Sequence, residues 1–148
     1  MTFRMLPTQP LALHHSWAAC DAQAHFSHGL VGATIGYFGP AECWSCDVAT
    51  NALSWSDGIF DLFGLPRVPA LSRHETVRRY EEGSRVVMER LRAHAIRHHR
   101  GFTVDVEIRP SACESRWIRL VAMPQVQDGR TIALAGTKQD VSTLYAVR

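Results

Sequence analysis

Four groups of side chains in this 148-residue chain are of types that could do chemistry. Cys43 and Cys46 form a C-x-x-C pair, the spacing of half a zinc site or of a redox dithiol. A zinc site needs a second pair of ligands, and none stands at a matching spacing. Residues three apart on a strand also point to opposite faces. Ordinary reduced thiols are expected, and no metal site is assigned. His94 and His98 are four apart, so they share one helix face, and His99 adjoins them. Clustered with Arg92, Arg97 and Arg100, they read as a solvated face, with a metal site as the alternative. The acids fall where structure alone explains them. Glu81 and Glu82 open a helix, where the dipole favours negative charge. Asp105 and Glu107 lie outward on a strand beside Arg109. No G-x-S-x-G, phosphate-binding loop or metal triad occurs, so no catalytic residue is assigned and no enzyme is expected. The fourth group is a single residue. Lys138 is the only lysine in a chain whose other cations are arginines.

The bulk numbers set the frame for these groups. Hydrophobic residues make up 46% and charged residues 20%, which suits one domain with a real core. A formal net charge of +2 is too small to argue for nucleic acid or an anionic membrane as partner. The longest apolar run, about Leu30 to Gly39, falls far short of a membrane span. The N-terminus lacks the charged start and apolar core of a signal peptide, so a cytoplasmic location is expected.

Hydrophobic periodicity supplies the elements. Residues 1–12 read as a loose lead-in. Leu13, Trp17, Cys20 and Ala24 then recur at helical spacing and predict an amphipathic helix. Glu42 to Val48 and Ala52 to Trp55 read as a hairpin. Ser56 stands as N-cap of a short helix carrying Ile59, Phe60, Leu62 and Phe63, which Gly64 ends. Residues 66–71 read as a loop. Ser72 caps a second short helix with Glu75 at capping-box spacing, and residues 82–100 form the longest helix. Three strands follow, at Phe102–Arg109, Arg116–Gln127 and Arg130–Lys138, with Asp128-Gly129 as a strong hairpin turn. The fold class is therefore α+β, a five-stranded antiparallel sheet with helices on one face and the N-terminal amphipathic helix outside. The organisation is a lead-in and helix over 1–41, one domain over 42–142, and a tail over 143–148.

Strand parity sorts the side chains. The inner face takes Trp44 and Cys46; Val104, Val106 and Ile108; Ile118, Leu120 and Ala122; and Ile132, Leu134, Gly136 and Lys138. The outer face takes Trp117, Val121, Met123, Ala133 and Ala135, an apolar patch of the kind that marks contacts. The stripe of Leu13, Trp17, Cys20 and Ala24 is its natural cover, near Trp117 and Val121. The cover could come from the same chain or from a second copy, and these residues are the expected homodimer interface.

The order of elements, with three local motifs, resembles the PAS family of bacterial sensor domains. CWSCDVATNALSWSDGIFDLFGL at 43–65 resembles its opening. RWIRLVAMP at 116–124 resembles its penultimate strand, and DGR…ALAGTKQDVS at 128–142 its last strand and terminus, with Ser142 in place of the usual Thr. The resemblance covers about residues 42–142. It implies a PAS fold and a role in signal transduction, either as a small-molecule sensor or as a dimerising adaptor. It also implies an output through a kinase, a cyclase or another regulator. The chain is then either a stand-alone sensor or part of a longer protein. Flavin photoreceptors of the superfamily carry a reactive cysteine in the region that is Leu65 to Tyr80 here. No cysteine stands there, so that chemistry is excluded. Haem-binding relatives take a histidine from the long helix. His94, His98, His99 or, from the short helix, His74 would have to serve, against the simpler reading as surface residues, and no cofactor is assigned. A ligand would sit between the long helix, with Val87 and Leu91, and the inner face, with Ile118, Leu120, Leu134 and Gly136. Trp44, Phe63 and Tyr80 would close around it. In flavin-binding relatives the position two after the last-strand glycine faces the ligand. Lys138 holds that position, where an inward amine would pair an anion such as a carboxylate. The ordinary outcome for a lysine at a strand end is instead to reach solvent.

Overall fold

The computed structural model describes residues 15–23 and 39–145. The alternating segments of the C-terminal third build the centre of the sheet. They are β5 (Arg100–Ser111), β6 (Glu114–Gln127) and β7 (Arg130–Asp140). Asp128 and Gly129 turn β6 into β7 with φ of 53° and 75°, the pair of positive angles a two-residue hairpin requires. β7 then pairs with β2 (Glu42–Asp47), which forms a hairpin with β3 (Ala52–Trp55). Two short strands extend the edges, β1 (Ser16–Ala18) on β5 and β4 (Leu71–Ser72) on β3. The sheet is antiparallel throughout, in the order β1-β5-β6-β7-β2-β3-β4. It has seven strands rather than the expected five.

The helices α1 (Asp57–Phe63), α2 (Arg73–Val77) and α3 (Glu82–His98) follow β3 in sequence. Ile59 and Phe63 of α1, with Met88, Leu91 and Ala95 of α3, pack on the inner face of the sheet and close the core. Gly64 ends α1 in the left-handed conformation at φ 66°. His99 ends α3 the same way at φ 57°, so Arg100 already belongs to the strand. Neither expected serine caps a helix with its side chain. The Ser56 hydroxyl accepts from Cys43 N and donates to Glu42 instead, and the cap that forms is Glu81 accepting from Ser84 N.

Two further expectations fail for physical reasons. Trp17 lies on a strand, and Cys20 on the 3-10 turn Ala19–Asp21, not on an amphipathic helix; Leu13 and Ala24 fall outside the described residues. β5 offers an open edge, and pairing there satisfies backbone groups that a lone surface helix would not. Gly101 leaves the space that the Trp17 ring fills: a Cβ there would meet the ring at 2.3 Å. Trp17 is 3% exposed, and its indole donates to Thr103 Oγ1 at 3.0 Å. Thr103 stands opposite Val121, so Trp17 covers the outer face there. Trp117 has a different cover. Tyr145, in the turn Ser142–Tyr145, stacks on it at 4.1 Å and 16°.

The second failure is Ile132, expected inside and found 41% exposed. The register shifts between Gln125 and Val126, which pair with Ala133 and Thr131 and leave Ile132 as the extra residue of a bulge. One extra residue inverts the parity beyond it. Thr131 turns inward instead, donating to Ile96 O on α3.

Candidate functional site

Lys138 points into the core and is 5% exposed. Parity puts it on the inner face with Leu134. β7 lies between β6 and β2, with Leu120 and Glu42 as register neighbours of Lys138. The strand runs on to Asp140, and Gln139 and Val141 are buried, so Lys138 is not at a strand end and its side chain lies in the core. The expected solvent orientation is thereby corrected. Its Nζ stands 4.6 Å from the centroid of Trp44 and 5.6 Å from those of Trp55 and Phe63. Those rings offer their electron-rich faces to a cation. No hydrogen bond or ion pair reaches the amine among the described residues. Burial pushes its pKa down to about 7, the Cys46 thiol opposes, and Arg73 adds to the fall.

Beside the amine lies a cavity of about 40 Å³. Of the residues expected around a ligand, Trp44, Tyr80, Leu120, Leu134 and Lys138 line it, and Phe63 does not line it but lies 5.6 Å from the amine. Val87, Leu91 and Ile118 pack in or against the core without lining it. Gly136 does not line it either. A Cβ there would stand 1.8 Å from Val121 O, so this glycine lets β7 lie close to the β6 backbone rather than opening a pocket wall. Sequence reasoning missed Arg73, Thr76 and Val77 from the α2 segment, Met88 and Arg92 from α3, Leu53 on β3, and the site roles of Cys46 and Phe102. The arginines matter most. Arg73 pairs with Glu89, and Arg92 donates to Asn51 Oδ1 at 3.1 Å. Burial, then Arg73, holds the Arg92 guanidinium below its usual pKa. The sequence pattern assigns Arg92 to the wet face of α3, and the packing of β3 and α2 against that helix brings it to the cavity instead.

The polar groups of this site are nearly all donors. Lys138, Arg73 and Arg92 bring three basic side chains to one small space. The indole N–H groups of Trp44 and Trp55 are buried with no acceptor. Tyr80 brings a hydroxyl whose pKa burial pushes up, keeping it a neutral phenol. Buried donors without acceptors cost free energy, so the arrangement is complementary to an acceptor-rich, negatively charged guest.

The other candidates lie elsewhere. The His94 and His98 rings lie 4.6 Å apart on α3, tilted by 46°, and His74 is exposed; none of them lines the cavity. Cys43 is exposed and Cys46 buried, on opposite faces of β2. Asp105 makes a two-point ion pair with Arg119 at 2.8 and 3.0 Å, and Glu107 binds Ser115 and Arg109. Among the described residues no group of three or more His, Cys, Asp or Glu is placed to hold a metal ion, and no helix is long and apolar enough to cross a membrane.

No protein-family model matches the sequence, and no curated protein does. Solved structures match it well. One is the N-terminal domain of a diguanylate cyclase with PAS/PAC sensor from Marinobacter aquaeolei: 20% identity, 72% of this chain and 99% of that one, TM-score 0.65. Another is a sensory box histidine kinase/response regulator from Burkholderia thailandensis: 16% identity, 81% of this chain and 86% of that one, TM-score 0.63. A light-oxygen-voltage domain matches at 18% identity over 87% of this chain and 92% of that one, TM-score 0.56. The chain has the PAS fold. In this fold the cavity beside Lys138 lies between the helices and the inner face of the sheet.

Proposed function

We propose that this PAS domain is the sensory part of a signalling protein, and that its cavity takes a small oxygen-rich anion, a carboxylate or an inorganic oxyanion. The observation that carries this reading is the buried Lys138 amine with no acceptor, in a cavity where Arg73 and Arg92 add two more cations. A cation left unpaired in a core costs several kcal/mol, and an anion beside it offsets that cost. The size of the cavity limits the guest. Each water needs about 10–15 Å³ of such space, so 40 Å³ accommodates a molecule of a few heavy atoms unless side chains move. We assign no catalytic role: Glu81 caps a helix, and Asp105 and Glu107 are engaged in ion pairs. The similar structures include sensors of a diguanylate cyclase and of a histidine kinase, and a cytoplasmic kinase, cyclase or other regulator is the proposed output.

A second reading has its own observation. The cavity is small, and Val126 and Ile132 leave apolar surface at 48% and 41% exposure on the β6–β7 hairpin. Both features suit a homodimerising adaptor with a filled core. Calorimetric titration of formate, acetate and nitrate at slightly acidic pH separates the two. The sensor reading expects saturable binding by the wild type and at least about tenfold weaker binding by Lys138→Met and Arg92→Gln, one charged hydrogen bond each. Equal binding by all three proteins, or none by the wild type, refutes it. Absent binding together with a dimer in sedimentation favours the adaptor.

A further inference from the structure

We propose that Lys138 is a carbamylation site, whose amine adds carbon dioxide to form a carbamate held by the guanidinium groups of Arg73 and Arg92. This rests on the reading of the cavity as an anion site and names a covalent occupant for it.

Three observations converge. The amine faces aromatic rings and has no hydrogen-bond partner, so nothing in the protein competes for its lone pair. The adjoining cavity of about 40 Å³ holds roughly three water-sized positions, and carbon dioxide adds three heavy atoms to the nitrogen. The cavity wall carries Arg73 and Arg92, cations suited to the two oxygens of a carbamate, and the buried Trp44 indole lacks an acceptor. The titratable groups around the amine are Cys46 and the cross-strand neighbour Glu42 from β2, Arg73 from α2, Tyr80 before α3 and Arg92 from α3; the Glu42 carboxylate accepts from Ser56, and Glu89 pairs with Arg73. Burial supports the chemistry, because an amine brought down to about 7 is substantially neutral at cellular pH. An arginine here could not serve, since its guanidinium does not deprotonate.

The step balances without an oxidant or co-reactant. The neutral amine's lone pair forms the N–C bond to carbon dioxide. One C–O π pair moves onto oxygen, and a nitrogen proton leaves to water. Amine and carbon dioxide give a carbamate anion and a proton. The site changes from neutral or positive to negative, which draws the guanidinium groups of α2 and α3 toward β7. Such a charge reversal at the helix–sheet seam is a signal the fold could pass on.

The test equilibrates the wild type with isotopically labelled bicarbonate and carbon dioxide at mildly alkaline pH. A trialkyloxonium salt then traps any carbamate as its ester, and tryptic peptides are read by mass spectrometry. Lys138 is the only lysine, so the assignment is unambiguous. A trapped residue also blocks cleavage and leaves peptide 131–148 whole. The expected result is label on that peptide in the folded wild type, weaker label in the urea-unfolded chain, and about tenfold less in Arg92→Gln. An unlabelled Lys138 in protein that still binds formate or nitrate overturns carbamylation alone. Loss of both overturns the anion cavity as well. Equal labelling of folded and unfolded chains, or a bicarbonate-dependent rise in melting temperature with no trapped adduct, also overturns it.

Discussion

Replacing Lys138 with Met should stabilise this domain at neutral pH, although it removes a buried side chain of similar length. The magnitude follows from burial. The amine pKa falls from 10.5 to about 7 in the folded chain. That difference corresponds to on the order of 5 kcal/mol between protonation states. The Trp44, Trp55 and Phe63 faces return about 1–2 kcal/mol of it through cation–π attraction. About 3 kcal/mol remains as the cost of carrying the charge inside. Between pH about 7 and 10.5 the unfolded chain holds more protons on this lysine than the folded one, so stability rises with pH across that window. Below it the cost is present in full; above it both states are neutral. Urea unfolding of wild type and Lys138→Met from neutral to pH about 10 should therefore show the variant ahead by about 3 kcal/mol at the acid end. The two curves should converge as pH rises. Subtracting them removes the contributions that the two proteins share. Parallel curves, or a variant less stable at neutral pH, would show that Lys138 is not a buried, unpaired amine.

Three further outcomes test the frame around the site. Trp17→Ala should lose about 3 kcal/mol of stability in urea melts, because a large buried side chain and its bond to Thr103 vanish from β5; an unchanged midpoint would mean β1 is not docked. Gly136→Ala forces a Cβ to 1.8 Å from Val121 O and should split β7 from β6, read as loss of soluble folded protein by circular dichroism; a wild-type spectrum and midpoint would contradict the close approach. Asp105→Asn breaks the pair with Arg119 and weakens the contact to the Tyr145 hydroxyl, and should cost only about 1 kcal/mol because the pair is partly wet. Its fluorescence should change as Tyr145 loosens from Trp117.

Much of the fold was legible because local signals and tertiary packing agree there. Alternation over 102–108 and the Asp128-Gly129 turn dictate β5 and the β6–β7 hairpin, and both form as expected. The same alternation misplaced Ile132, because a bulge depends on how two strands meet and leaves no mark in either one. The apolar spacing around Trp17 suits a helix equally well as a short edge strand. What decided it is the vacancy above Gly101, more than eighty residues away in sequence. The site was half legible. Parity placed Trp44, Leu134 and Lys138 on one face, but Arg73 and Arg92 reach the cavity only through the packing of α2 and α3. The alternation ends at Lys138, whereas β7 runs on to Asp140.

The central claim is that the space beside Lys138 is built for a small anion. A high-resolution crystal structure grown with formate at neutral pH tests it most directly. Planar density should fill the cavity, with an oxygen about 2.7–2.9 Å from Lys138 Nζ and a second oxygen toward Arg92. A dry cavity, or Lys138 turned out to solvent with Trp44 filling its place, would contradict it.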